Sequence, residues 1–583
     1  MDVLKRSRRE APQREKNGSQ PTLRWLWQVT GRYKAVVGGL TLLDVVLGAS
    51  SVGYALLFGN LVDRAAAGQL TPFLWAAGAL GAMTLVQMGL NTLDSLLSEW
   101  ARASMENRLK ERLFGCLLRR DYAAVTARHS GDWVARLTSD TAVVAGNLVD
   151  LLPRLAGLLA RLSGALAALF LLQPAFFYIL VPAGCAVLLL SVSLRRILKR
   201  MHKQIQEAGA AFLAFVQERL ESMMIVRVFS MEDQTCAEAA ARMERHKAAR
   251  LRRNRFSNLF NFGFWGLAEG GYLLAALYCG YGILRGTVSY GTFTAILQLV
   301  GQVQSPVAGI TGVVPQYYAM IASAERLMEA ETYPGDGGAR LPEAEISRYY
   351  REEFVCLGVR GASFSYKVFG GENRSDGKLA VISRLNIEVK KGEYVAFTGH
   401  SGCGKSTLLK LLMCLYPLDA GELYLRGVNG ETPLTPAWRG LFAYVPQGNQ
   451  LMSGTIREIV AFGDPGAMAQ EERLARALDI ACAGEFVSRL ENGLDTRLGE
   501  RGCGLSEGQM QRIAIARAVF SDRPVLILDE STSALDEDTE RRLLSNLRRM
   551  TDKTVLIITH RPAALAICDR QIDMAAAELQ ETT

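Results

Sequence analysis

The chain has 583 residues, a formal net charge of +8 and a hydrophobic fraction of 49%. That length is too great for one ordinary domain. The charge does not mark a nucleic-acid binder, because the basic residues gather beside apolar runs; the ten cysteines lie singly, without a C-x-x-C pair or metal-ligand spacing.

Residues 1–20 are polar and basic, with Lys5, Arg6, Arg8, Arg9, Arg14 and Lys16, and are expected to be a disordered arm. No apolar core follows directly, which argues against a cleavable signal peptide. Residues 23–29 carry Trp25 and Trp27 on an amphipathic pattern that suits a helix lying in a membrane interface. The apolar runs come next. Residues 35–58 contain one charge, Asp44, and residues 73–93 contain none; each matches the roughly 20 residues that cross a bilayer. Residues 162–194 are uncharged and too long for one span, so Gln173-Pro174 is read as a tight turn between two. Further spans are expected over 257–284 and 290–314, which brings the total to about six. Lysines and arginines crowd the N-terminal arm and residues 195–255, whereas the opposite connections are short and poor in charge. The positive-inside rule therefore puts both termini in the cytoplasm.

Two cytoplasmic segments, 98–134 and 195–256, read as membrane helices continuing far beyond the bilayer, each with a turn at its tip. Charged residues inside spans are costly and are candidates for function: Asp44, Asp94, Arg154, Arg161 and Glu269. By helix-rise counting Arg161 and Glu269 lie at similar depths, so they can pair with each other or meet a charged substrate. A Pro- and Gly-rich stretch then marks a boundary. The expected division is a transmembrane domain over 21–330, a linker over 331–350 and a nucleotide-binding domain over 351–583. Residues 354–366 read as strands, and 367–378 as a surface loop.

The chemistry starts at Gly399, His400, Ser401, Gly402, Cys403, Gly404, Lys405, Ser406 and Thr407, which fit G-x-x-x-x-G-K-[ST] between an apolar strand (394–398) and a helix (407–413). The glycines let backbone N–H groups turn inward around phosphate oxygens, and the new helix adds its positive end. Lys405 can reach the β- and γ-phosphates, and Ser406 can ligate magnesium. The apolar strand 525–529 ends in Asp529 and Glu530: the first suits a magnesium-coordinating acid, the second a general base for the attacking water. Gln447, after Val445-Pro446, can set an amide near metal and water, and His560 ends a third apolar strand within reach of a γ-phosphate.

Leu505-Ser506-Glu507-Gly508-Gln509, opening the helix that continues through Arg517, resembles the signature motif of ATP-binding cassette (ABC) proteins. The other pieces then fall into that family's order. The resemblance implies that Tyr366 stacks on adenine, that 399–406 is Walker A, Gln447 the Q-loop, Asp529 and Glu530 Walker B with its base, Ser533 to Asp536 the D-loop, and His560 the switch histidine. It implies ATP and Mg2+ as cofactors, with Ser406, Gln447 and Asp529 at the metal. Ser506, Gly508, Gln509 and Asp536 would serve a nucleotide held across a dimer. The front half resembles the family's exporters, with residues 129–140 and 218–230 like their coupling regions and 498–502 like the exporter segment that touches them. One cassette per chain implies a half-transporter whose partner is the same chain or a homologue. The resemblance further implies a multi-pass protein of the plasma or inner membrane, its ATPase cytoplasmic, moving a small amphipathic, lipid or peptide substrate and binding no nucleic acid.

Three departures stand out. Glu507 replaces the usual glycine, the 367–378 loop is long, and residues 572–577 are not expected to form the family's closing strand and helix. The expected fold is thus an α-helical polytopic membrane domain followed by an α/β P-loop ATPase, working as an exporter by alternating access. An importer built on the same fold, or a non-transporting ATP-gated regulator, stay as alternatives; intact Glu530 and His560 argue against the second.

Overall fold

The computed structural model describes residues 19–128, 130–337, 340–368, 377–448, 451–499 and 504–574; the expected disordered arm lies almost wholly outside them. The chain divides into two compact units. Residues 1–116 and 130–332 make the first, and residues 117–129 and 333–583 the second.

The first unit is helical. An amphipathic helix, Ser19–Thr30, precedes six long helices: α1 (Lys34–Ala66), α2 (Leu70–Leu117), α3 (Thr141–Leu172), α4 (Pro174–Glu221), α5 (Glu232–Leu284) and α6 (Tyr290–Thr332). Among the described residues, three stretches are long and apolar enough to cross a membrane: Pro21–Ala66, Leu70–Leu117 and Ser130–Leu172. Gln173 separates α3 from α4, in extended conformation, where the sequence places the turn. Helices α1 and α3 pack through reciprocal glycines. A Cβ on Gly48 would fall 2.5 Å from the Gly157 carbonyl oxygen, and one on Gly157 would fall 3.0 Å from that of Asp44. Side chains cannot enter such a contact without moving a backbone. This crossing sets Asp44 within electrostatic reach of Arg161. The Arg161–Glu269 pair admitted by helix-rise counting is not formed among the described residues; Glu269 is exposed, and axial depth says nothing about which way two helices face.

Several polar side chains within the helical unit find partners, as an apolar surrounding demands. The Gln302 amide donates to the Ser51 carbonyl (2.7 Å), and Gln87 donates to the Ser50 hydroxyl (3.0 Å). At one end Asp63 accepts from the Gly291 N–H (2.6 Å) and the Ser289 hydroxyl (2.8 Å), capping the start of α6. At the other end a five-residue π turn, Arg136–Asp140, leads into α3. Its two charged residues are buried against α6. Arg136 donates to the Arg326 carbonyl (2.6 Å) and to Glu329 (3.1 Å), while Asp140 accepts from Ser323 (3.0 Å) and the Arg326 Nε (2.8 Å). Between α4 and α5 lies the short helix Met223–Val228.

The second unit is an α/β domain with strands β1 (Phe354–Val368), β2 (Gly377–Lys390), β3 (Tyr394–Thr398), β4 (Ala420–Gly427), β5 (Gly430–Pro433), β6 (Phe442–Val445), β7 (Gly454–Thr455), β8 (Arg497–Leu498), β9 (Val525–Asp529), β10 (Thr554–Ile558) and β11 (Arg570–Asp573). One sheet is antiparallel, in the order β2-β1-β4-β5. A second, β11-β3-β10-β9-β6, is parallel throughout, and β7 pairs with β8 in a small antiparallel ribbon. Every residue of β9 and β10 is buried, which is why both read as unbroken apolar runs. Because β3, β10 and β9 are parallel neighbours, the residues that follow all three emerge at one edge.

Three expectations change. Residues 367–378 are not all loop: Lys367 pairs with Lys378 and Val368 with Gly377, so the β1–β2 ladder runs on to the edge of the described residues. A closing strand is present, since β11 pairs with β3 along its whole length. Residues 117–129, placed by the sequence with the membrane domain, belong to the second unit. They are tied there by Asp121 N–H to Pro334 O and Asp336 N–H to Arg119 O, both 3.0 Å.

Candidate functional site

The loop after β3 bends at Gly399, Gly402 and Gly404, whose φ values of 129°, 88° and 88° lie where only glycine is at ease. It ends at α7 (Lys405–Leu412). Lys405 is buried, and its Nζ donates to the carbonyls of Gly399 (2.6 Å) and His400 (3.1 Å) and approaches the Cys403 sulfur at 3.9 Å. The ammonium therefore sits inside the loop that it would share with phosphates. His400 and Ser401 are exposed on the rim.

At the end of β9, Asp529 is 2% exposed. It accepts from the Ser406 hydroxyl (Oδ1, 3.1 Å) and from the Tyr444 hydroxyl (Oδ2, 3.2 Å). Burial pushes its carboxyl up from the usual range, with these two hydrogen bonds pulling the other way. A carboxylate so desolvated, with a hydroxyl beside it, suits a hard divalent cation, and the oxygens of Ser406, Asp529 and Gln447 are the donor types magnesium takes. Glu530 follows in the left-handed region at φ 47°. Its N–H donates to Ile558 O (3.0 Å), and its carboxylate accepts from the Gln447 amide (Oε2, 2.7 Å). His560 stands exposed beyond β10. Tyr366 is half-buried on β1, and its hydroxyl shares a hydrogen bond with Thr407 (3.2 Å), one residue beyond Ser406.

The signature residues form a separate patch. Ser506 caps α8 (Glu507–Phe520) in a reciprocal box with Gln509, and Glu507 occupies the first turn, exposed. Gly508 lies so close to Ala534 that a Cβ would fall 2.8 Å from its carbonyl oxygen. Asp536 caps α9 (Glu537–Arg548) by accepting from the Thr539 N–H (2.9 Å), which holds its carboxyl below the usual range. Buried Gln511 locks the two pieces together, donating to Ser533 (3.1 Å) and accepting from the Ala534 N–H (3.1 Å).

Several residues here were not singled out in the sequence. Tyr444 holds Asp529. Arg561, next to His560, donates to the carbonyls of Thr532 (2.7 Å) and Leu535 (2.9 Å) and pairs with Glu540 (2.9 Å), a carboxylate buried to 2%. A signal existed for Glu540 alone: it is the acid one turn after the Asp536 cap, on the apolar side of an amphipathic helix.

The family description "ABC transporter transmembrane region" matches residues 37–307, and "ABC transporter" matches residues 382–533. The chain belongs to the ABC transporter family. This ABC transporter is 25% identical over 570 residues to the ATP-dependent lipid A-core flippase of Aliivibrio fischeri, covering 96% of this chain and 94% of that one. To the flippase of the same name from Vibrio vulnificus strain CMCP6 it is 35% identical over 293 residues, about half of each chain. To the mitochondrial ATP-binding cassette sub-family B member 10 of Mus musculus it is 27% identical over 538 residues, 91% and 73% of the two chains. A bacterial Atm1-family ABC exporter solved with ATP bound superposes with a TM-score of 0.75 at 22% identity, over 93% of each chain. The ABC transporter thus has an exporter fold with membrane region and ATPase on one chain, the half-transporter arrangement.

Proposed function

We propose that this ABC half-transporter moves an amphipathic or hydrophobic substrate, lipid-like or peptide-like, out across the cell membrane by alternating access, as a dimer driven by ATP hydrolysis. The observation that carries the proposal is the pair of linked carboxylates at the end of β9: Asp529 held by Ser406 and Tyr444, Glu530 held by Gln447. Their environments differ, and so do their uses. Asp529, with Ser406 and Gln447, would hold magnesium, which when bound neutralises charge on the β- and γ-phosphates. Lys405 leaves the Gly399 and His400 carbonyls for those phosphates, an exchange of one set of oxygen acceptors for another. Glu530 accepts the proton of the attacking water, with Gln447 orienting it, and His560 donates toward the γ-phosphate. Tyr366 offers its ring to adenine. The signature patch around Ser506, Gly508, Gln509 and Asp536 serves the nucleotide of a partner chain. ATP favours the closed dimer by binding it better than the open one, and hydrolysis removes that preference.

The lipid-like substrate class rests on the flippase relatives over nearly the whole chain. Cytoplasmic termini and ATPase rest on the basic arm and the basic segment 195–255. The test is the ATPase of the full chain in lipid nanodiscs beside Glu530→Gln. Wild-type turnover that falls at least about a hundredfold in the variant, with ATP binding retained, is expected. A variant turning over at the wild-type rate would remove Glu530 as the base. Turnover by the chain alone means a homodimer; binding without turnover means a homologous partner chain.

A further inference from the structure

We propose that Tyr416 carries occupancy of the adenine platform to the turn at residues 117–129, so that this transporter reads the nucleotide's base at that turn separately from its γ-phosphate. The inference rests on the reading of Tyr366 as the adenine platform. Four aromatic rings lie in one run inside the ATPase unit. Tyr366 meets Phe364 edge-on at 4.9 Å and Tyr416 edge-on at 5.5 Å. Tyr416 in turn meets Tyr122 edge-on, at 5.7 Å and an interplanar angle of 90°. Phe364 closes the group from the other side, 5.5 Å from Tyr416. One ring therefore separates the platform from the turn.

The far end of the run is structured to respond. Tyr122 opens the helix Tyr122–Thr126, which Asp121 caps by accepting from the Ala123 N–H (2.7 Å). Thr126 bonds back to the Tyr122 carbonyl (2.7 Å). Tyr416 thus touches the turn by its ring, at Tyr122. At the near end Tyr366 is held by the bond it shares with Thr407, so a base that tilts the ring would also strain that bond. Edge-on ring pairs depend on orientation, so tilting Tyr366 changes its contact with Tyr416.

A second attachment of the same turn does not involve the platform. Arg439 binds the Met413 carbonyl (3.0 Å), at the end of α7, and the Asp336 carboxylate (2.8 Å), while the Asp336 N–H donates to Arg119 O. The polar attachment joins the end of the phosphate helix to Arg119, ahead of the helix Tyr122–Thr126, whereas the aromatic one ends on that helix itself. Tyr416 is a positioning residue; it has no contact with the reacting atoms.

The experiment is hydrogen–deuterium exchange on the full Glu530→Gln chain in nanodiscs, comparing Mg-ATP with Mg-tripolyphosphate, which has the phosphates and no base. Peptides covering 122–128 and 399–407 report the helix that the rings reach and the phosphate loop. ATP is expected to slow exchange in both at least about fivefold, and tripolyphosphate to slow the phosphate loop while leaving the turn within about twofold of the nucleotide-free rate. With Tyr416→Leu, ATP should protect the phosphate loop and no longer the turn; Tyr416→Phe, which keeps the ring, should retain most of the turn's response. Equal protection of the turn by ATP and tripolyphosphate overturns the inference, as does a full ATP response in Tyr416→Leu. Should that variant fail to fold, the comparison of two ligands on the parent chain decides alone. Failure of ATP to protect the phosphate loop at all would strike the nucleotide site itself, a separate result.

Discussion

Two turns of this transporter between its long helices, 117–129 and 223–228, read alike in sequence and end up in opposite circumstances. The first is tied by backbone hydrogen bonds to Pro334 and Asp336, by ring contact to Tyr416 and by Arg128 Nε to the Tyr333 hydroxyl (3.1 Å), all within the ATPase unit. The second presents Met223, Met224, Ile225, Val228 and Phe229 as exposed side chains, with Met224 at 78% and Phe229 at 71%. An apolar cluster of that kind on a short helix marks an interaction surface. The first turn is satisfied within the chain, whereas the second leaves its apolar side chains uncovered among the described residues.

That contrast can be broken by substitution. Placing charges on the second turn, as Met224→Asp with Phe229→Asp, should lower ATPase turnover on the order of a hundredfold, about 2.7 kcal/mol, while the isolated event of ATP binding and the thermal midpoint stay put. Turnover within twofold of wild type would mean that no partner uses that face. At the root of the first turn, Arg136→Ala removes a buried guanidinium from Asp132, Glu329 and the Arg326 carbonyl. Both acids are partly exposed, so the loss should be about 2 kcal/mol of helical-unit stability, read by denaturant unfolding in detergent. An unchanged midpoint would show that water replaces the arginine at no cost. Asp121→Ala deletes the cap of the first turn and should cost about 1 kcal/mol locally, seen as faster amide exchange over 122–127. Equal exchange in variant and parent would assign the turn's order to its neighbours alone. Arg102→Gln breaks exposed pairs with Glu99 and Asp150 and should change the thermal midpoint little, about 0.5 kcal/mol. A larger drop would show that this helix face is buried in the assembled protein.

The sequence carries the local chemistry openly and the long-range pairing hardly at all. The phosphate loop, the carboxylates ending β9 and the signature cap are each written in a short run of neighbours, so spacing alone places them at strand ends and helix starts. Tyr444, Arg561 and Tyr416 act on groups far along the chain, 85 residues away in the case of Tyr444 and Asp529, and no local pattern announces that. The same limit explains Arg161. Its depth was countable, but its facing depends on the rotation set by Gly48 against Gly157. The first turn was assigned to the membrane domain because its sequence is continuous with α2, whereas packing follows contacts rather than continuity.

Glu530 adds a consequence for evolution and engineering. Its backbone sits at φ 47°, where a side-chain-bearing residue costs on the order of 1 kcal/mol or more, held there by Ile558 and Gln447. On the proposed role of Glu530 as the base, glycine at this position would relieve that cost, at the loss of the Gln447 bond, and silence hydrolysis. Selection for thermal tolerance alone therefore pulls against turnover at this one residue. Stabilised libraries of this transporter should be screened for hydrolysis before they are ranked by melting temperature.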